Sequence, residues 1–128
     1  MTKACQNYGN AVVYSLMHTV VETPAYLADA DKLFSQVERA AIVDRLASDP
    51  RCGVLIPGGG GIRKVRFGFG SRGKSGGARV IYLFGGEDIP VFMLAVFAKN
   101  EKSDLSAAER NALARTVDGT IKNYRRQK

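Results

Sequence analysis

Apolar residues recur at helical spacing in the segment between residues 35 and 49. The apolar positions there line one face of a helix: Val37, Ala41, Ile42 and Leu46. Ser35 and Glu38 form a capping-box pattern at the start of this segment. Asp49-Pro50 predicts its end, because proline disfavours a helical residue before it.

Two further helices are predicted, one on each side of this segment. Thr23 as the N-cap and Pro24 at the first helical position predict a helix that reaches about Leu33. Ser106 and Glu109 repeat the capping box near the C-terminus. The apolar positions behind this second box again have helical spacing: Leu113, Val117 and Ile121.

Between the second and third helices the apolar pattern changes to that of β-strands. Three runs alternate or are rich in β-branched and aromatic residues: Ile62–Phe69, Ala78–Phe84 and Ile89–Ala98. The turn composition from Gly85 to Asp88 predicts that the last two runs form a hairpin. Shorter strands are predicted at Met17–Glu22 and Val54–Ile56. This order predicts an α+β fold with a mainly antiparallel sheet, two N-terminal helices and a C-terminal helix.

Chain length and composition limit the domain organisation. The 128 residues suffice for one domain, and we expect residues 1–16 to be a poorly ordered extension and residues 17–128 a single domain. No run approaches the roughly 20 apolar residues of a membrane span. Cys5 and Cys52 form neither a disulfide framework nor a metal-ligand set. We therefore expect a cytoplasmic protein with no membrane contact, no metal and no cofactor.

Positive charge is concentrated in one part of the chain. The net charge is +7. No acidic residue occurs between Gly53 and Gly86, where six basic residues lie: Arg63, Lys64, Arg66, Arg72, Lys74 and Arg79. Such a block suits a polyanion such as nucleic acid. The alternative is a solvated basic surface that serves only solubility.

Residues 68–75 match the phosphate-binding pattern G-x-x-x-x-G-K-[ST] letter by letter. That motif needs a helix directly after its lysine, so that the helix N-terminus faces the phosphates. Here Gly76-Gly77 and a strand-like run follow instead. The segment is therefore interpreted as a flexible, basic, glycine-rich loop that joins two strands.

The basic residues are suited to cleaving RNA without a metal ion. Because the 2′-OH of RNA can attack the adjacent phosphate, the protein has to orient the chain, stabilise the pentavalent phosphate and move protons. Arginine binds phosphate bidentately, and a lysine whose pKa is lowered by neighbouring cations can move protons. One histidine, His18, excludes a histidine-pair mechanism. A passive RNA-binding surface is the alternative that composition alone favours.

Three blocks of sequence carry a resemblance to a known family. They read IPGGGGIRKVRF (56–67), RGKSGGARVIY (72–82) and FAKNEKSDLSAAER (97–110). In this order they resemble the RelE-type toxins, in their HigB-like branch, and the resemblance extends over about Met17–Thr120.

The resemblance implies a RelE-like fold, in which a curved sheet is backed by helices. It also implies the toxin of a type II toxin–antitoxin system, an mRNA interferase that cleaves translated mRNA on the 70S ribosome and so inhibits translation. The implied partner is an antitoxin with a helix-turn-helix DNA-binding domain. Operator DNA is then reached only through that antitoxin.

The functional side chains of the family's motif are the basic residues of the strand-loop-strand unit. The implied catalytic residues are Arg66, Lys74, Arg79 and Tyr82. The implied RNA-binding residues are Arg63, Lys64, Arg72 and Lys99, of which Lys99 either contacts RNA or caps the last strand. Two positions depart from the family's pattern: Gly59 replaces an expected threonine, and Leu83 replaces a second tyrosine.

Two other functions are compatible with the same sequence. One is a gyrase-poisoning toxin of the ParE kind, which binds a protein and performs no chemistry. The other is a relative that binds RNA or an antitoxin without cleavage. The Arg/Lys cluster favours RNA cleavage, since a gyrase poison has no need to stabilise a pentavalent phosphate.

Overall fold

The computed structural model describes residues 2–8, 11–68, 77–98 and 104–126. The strands in these ranges are β1 (Thr2–Tyr8), β2 (Ala11–Leu16), β3 (Val20–Glu22), β4 (Val54–Leu55), β5 (Ile62–Phe67), β6 (Ala78–Leu83) and β7 (Val91–Ala98). The helices are α1 (Pro24–Leu33), α2 (Gln36–Ser48) and α3 (Ala107–Arg126). None of the helices in the described ranges is long and apolar enough to cross a membrane.

Five strands form one sheet in the order β3-β7-β6-β5-β4. Every neighbouring pair is antiparallel except β3 and β7, which are parallel. The predicted α+β fold, with its mainly antiparallel sheet, two N-terminal helices and one C-terminal helix, is confirmed. Strand boundaries differ from the prediction by a few residues; β5, for example, ends at Phe67 rather than Phe69.

Helices cover both faces of this sheet. On one face, α1 and α2 pack against side chains of β6 and β7, and this core includes Tyr26, Ile42, Leu46, Val80, Tyr82 and Met93. On the other face, α3 packs over a second core that includes Ile62, Ile81, Leu83, Phe97 and Val117. The side chains of β6 alternate between the two cores, which is why this strand is apolar along its length.

The predicted caps are present at all three helices. Thr23 Oγ1 accepts from the Tyr26 amide at 3.3 Å and donates to the Met93 carbonyl at 2.7 Å, so the cap also ties α1 to β7. Both reciprocal bonds of the capping box form between Ser35 and Glu38. The same two bonds form between Ser106 and Glu109, at 3.1 and 2.9 Å.

The predicted apolar face of α2 was partly wrong. Val37 is 80% exposed, and Ala41 is also exposed. The buried face instead includes Ile42, Leu46 and Ala47. Val37 lies five residues before Ile42, about 140° away around the helix, and therefore points away from the sheet.

The N-terminal segment contains two strands, and its prediction as a poorly ordered extension stays a prediction. β1 and β2 pair as an antiparallel hairpin, which forms a sheet of its own. A domain boundary between residues 16 and 17 stays a prediction.

The glycine-rich turn between β4 and β5 explains why Gly59 replaces the expected threonine. Gly58 and Gly60 have φ of 75° and 73°, which favours glycine at both positions. A Cβ atom at Gly59 would lie 2.3 Å from Cγ1 of Ile62, which is buried in the second core. The turn therefore packs too closely on Ile62 for a side chain at position 59.

Loss of the second capping box should destabilise the protein. Ser106→Ala removes the oxygen that accepts from the Glu109 amide, and we expect the free energy of unfolding to fall by about 1 kcal/mol. The matched control is Ser48→Ala, because that hydroxyl only donates to the Asp44 and Arg45 carbonyls at an exposed helix end. Urea unfolding measures both, and an equal loss in the two variants would contradict this prediction.

Candidate nucleic-acid interface

Two arginines lie directly opposite each other on neighbouring strands. Arg66 of β5 pairs with Arg79 of β6 in the antiparallel register. In such pairs both side chains point to the same face of the sheet, with Cβ atoms about 5 Å apart, and like charges destabilise the pair. Among the described residues, neither guanidinium forms an ion pair. This arrangement favours a ligand that brings negative charge.

A shallow depression surrounds the two arginines. Lys64 lies two residues before Arg66 and so on the same face, and Val54 of β4 pairs with Lys64. The depression has a volume of about 280 Å³, and its walls are Val54, Lys64, Val65, Arg66 and Arg79. We call Lys64, Arg66 and Arg79 the basic cluster. Its size and charge suit a single phosphate group with part of the attached nucleotide.

Asp104 lies beside the basic cluster, just before α3. Its Oδ2 lies 2.7 Å from the Lys64 ammonium, and its Oδ1 accepts from the Leu105 amide at 2.8 Å. The Lys64 hydrogen bond, the Leu105 amide and the charge of Arg79 together hold the pKa of this carboxyl below its usual value. Nη1 of Arg79 is buried, and the described part of the chain offers it no hydrogen-bond partner.

Arg63 and Tyr82 lie on the opposite face of the sheet. They pair with each other across β5 and β6, one residue out of phase with the basic cluster. Arg63 Nη1 donates to the carbonyls of Gly53, at 2.8 Å, and Arg51, at 3.4 Å. The predicted RNA-binding role of Arg63 therefore disagrees with its position, because the side chain holds a turn on the far side of the sheet.

Tyr82 is fully buried beneath the sheet. Its hydroxyl donates to the Pro50 carbonyl and accepts from the Gly53 amide, both at 2.8 Å. Burial raises the pKa of this hydroxyl well above its ordinary value. This position argues against the catalytic role that the resemblance implies for Tyr82, because the ring has no access to a ligand on the face of the basic cluster.

Three predicted site residues, Arg72, Lys74 and Lys99, lie outside the described residues, and their roles stay predictions. Most of the P-loop-like segment lies there too. The strand β6 occupies Ala78–Leu83, where the helix of a nucleotide-binding loop would run. Within the described ranges, no three His, Cys, Asp or Glu side chains are grouped so that they could hold a metal ion.

Sequence reasoning missed two residues at the depression, Val54 and Asp104. Val54 is 66% exposed, and strand pairing alone brings it beside Lys64. Asp104 lies forty positions from Lys64, so no local pattern connects them. The only signal was that Asp104 belongs to the FAKNEKSDLSAAER block.

Comparison with protein families gives one match, and the matched residues contain the basic cluster but not β4. The matching family model is described as the RelE toxin of the RelE / RelB toxin-antitoxin system, and it matches residues 56–128. These residues are more than half of the chain and contain β5, β6, β7 and α3.

If the Tyr82 hydroxyl has a purely structural role, substitutions at Tyr82 and Tyr26 should change the stability of the protein by different amounts. Tyr82→Phe leaves the Gly53 amide and the Pro50 carbonyl without their partner, so we expect a loss of about 1–3 kcal/mol in the free energy of unfolding. Tyr26→Phe is the matched control. Tyr26 is equally buried, but its hydroxyl has no hydrogen-bond partner in the described part of the chain.

Chemical denaturation of the two variants measures this difference. We expect Tyr26→Phe to be as stable as the parent protein or more stable, because it removes an unsatisfied polar group. Equal stability of Tyr82→Phe and Tyr26→Phe would show that the two hydrogen bonds contribute nothing.

Proposed function

Because the chain belongs to the RelE toxin family, we propose that it is a ribosome-dependent endoribonuclease of the HigB-like branch. It would cleave mRNA during translation and so stop protein synthesis. As a member of this family it is the toxin of a toxin–antitoxin system, and an antitoxin is its partner.

The observation that supports cleavage is the opposition of Arg66 and Arg79 beside Lys64. Three cations around one depression would stabilise an anion, and two guanidiniums in opposed positions could bind the oxygens of one phosphate from both sides. In the proposed reaction the 2′-oxygen forms a bond to phosphorus, and the bond to the 5′-oxygen breaks. The products are a 2′,3′-cyclic phosphate and a 5′-hydroxyl. Arg66 and Arg79 would stabilise the extra negative charge of the pentavalent phosphate.

Proton transfer needs a further group, because Tyr82 is buried. We retain Lys74, in the loop between β5 and β6, as the proposed group that handles protons. This role requires a lowered pKa of its ammonium, which nearby cations would provide. Arg72 and Lys99 remain proposed contacts to the RNA backbone.

Dependence on the ribosome is part of the proposal, and the size of the site supports it. Among the described residues, the depression of about 280 Å³ has room for about one phosphate group with part of its nucleotide. Another body must therefore hold the nucleotide in an attack geometry, and we propose that the 70S ribosome does so. The protein would then act in the cytoplasm, on mRNA and the ribosome. Its antitoxin would carry a helix-turn-helix domain and supply the contact with operator DNA.

Removal of either arginine should abolish cleavage. We expect Arg66→Ala and Arg79→Ala to lower the cleavage rate at least about 100-fold, since each removes a donor to the transition state. Arg115→Ala is the matched control, because Arg115 is an exposed arginine on α3, away from the basic cluster. The measurement is to map mRNA 5′ ends after induction of the full chain and of each variant.

Other outcomes would select the alternatives. Growth arrest with intact mRNA and damaged DNA would indicate a gyrase poison. Absence of arrest would indicate a binding protein without activity. Cleavage of free RNA by the purified protein would contradict dependence on the ribosome.

A further inference from the structure

The carboxylate of Asp104 is fixed beside the basic cluster by contacts on both sides. One oxygen accepts from the Leu105 amide, and the other pairs with the Lys64 ammonium. The capping box of Ser106 and Glu109 follows directly and fixes the start of α3. Val117 of α3 is buried against the sheet, and this packing holds the helix in place.

This carboxylate makes the kind of contact with Lys64 that a phosphate oxygen would make. The Lys64 ammonium already has an anionic partner, because the Asp104 carboxylate oxygen lies 2.7 Å from it. Asp104 also lies in the field of Arg79, which contributes to the low pKa of its carboxyl. A phosphate that enters the depression therefore meets an anion of the protein as well as three cations.

The ion pair is open enough to be exchanged. The side chains of Lys64 and Asp104 are 33% and 51% exposed. Pairs of this exposure contribute up to about 1 kcal/mol, because water screens the charges. An RNA phosphate could thus displace Asp104 from Lys64 at a small cost in free energy. That cost would lower the affinity for RNA each time it binds.

We propose that Asp104 is a built-in competitor for RNA phosphate at Lys64, which lowers the affinity of the site for RNA and takes no part in the cleavage step. The inference rests on the proposed function, since it assumes that the basic cluster binds RNA. A positioning role is the opposite hypothesis, in which Asp104 holds Lys64 where the phosphate needs it. The two hypotheses predict opposite changes in affinity.

Asp104→Asn tests the proposal with little change in structure. The asparagine side chain keeps an oxygen that can accept from the Leu105 amide and removes only the charge. Asp118→Asn is the matched control. It removes the same charge from α3, where Asp118 pairs with Lys122 on the surface at 2.9 Å. Any general effect of a more positive protein appears equally in both variants.

The first measurement is the affinity for a labelled oligoribonucleotide with 2′-O-methyl groups throughout, which cannot be cleaved, at low salt. We expect Asp104→Asn to bind about three- to fivefold more tightly than Asp118→Asn, as loss of an exposed ion pair allows. In a Lys64→Met background this advantage should vanish, because no ammonium remains to be freed. Equal or weaker binding by Asp104→Asn would overturn the proposal.

The second measurement is cleavage on programmed ribosomes. A competitor predicts a lower KM with unchanged kcat for Asp104→Asn, whereas a fall in kcat would identify a positioning residue and overturn the proposal. Arg66→Ala separates this inference from the proposed function. If Arg66→Ala binds the oligonucleotide as tightly as the parent protein, the cluster is not an RNA site and both fail. If Arg66→Ala binds the oligonucleotide more weakly than the parent protein, but Asp104→Asn and Asp118→Asn bind it with equal affinity, only the competitor hypothesis is wrong.

Discussion

The register between β5 and β6 is the constraint on which the proposed site depends. It sets Arg66 opposite Arg79 on one face and Arg63 opposite Tyr82 on the other. A slip by one residue would move Arg66 to the face that α1 and α2 cover and Arg63 to the face of the basic cluster. The core prevents such a slip, because β6 is buried on both faces. Val80 and Tyr82 pack on one side, and Ile81 and Leu83 pack on the other.

The same register carries an electrostatic cost. Two guanidiniums in opposed positions repel each other, and cross-strand pairs of like charge weaken a sheet. The apolar contacts of β6 in two cores offset this repulsion, while Asp104 forms its ion pair with the neighbouring Lys64 rather than with either arginine. A local arrangement that opposes stability, in a fold otherwise consistent with its sequence, is typical of a functional site.

The parts predicted from sequence were those that short-range chemistry determines. Capping boxes and the alternation of β5 depend on residues within a few positions of each other, and both are confirmed. The same alternation already separates Arg63 from Lys64 and Arg66, so the charge of Arg63 alone was a misleading signal. The burial of Tyr82 was harder to predict, because its partners Pro50 and Gly53 lie about thirty residues away. Family resemblance named the tyrosine, but only tertiary structure shows which face it occupies.

The residues on the other face of the sheet still shape the site. Tyr82 and Arg63 both bind the turn that ends at Gly53, and Gly53 lacks a side chain because a Cβ there would lie 2.7 Å from the Tyr82 hydroxyl. This turn leads directly into β4, whose Val54 forms the rim of the depression beside Lys64. A buried hydroxyl thus fixes the edge strand, and the edge strand completes the surface where a nucleotide would lie. Tyr82 affects the proposed chemistry by determining the shape of the site, while the arginines one residue out of phase supply the charge.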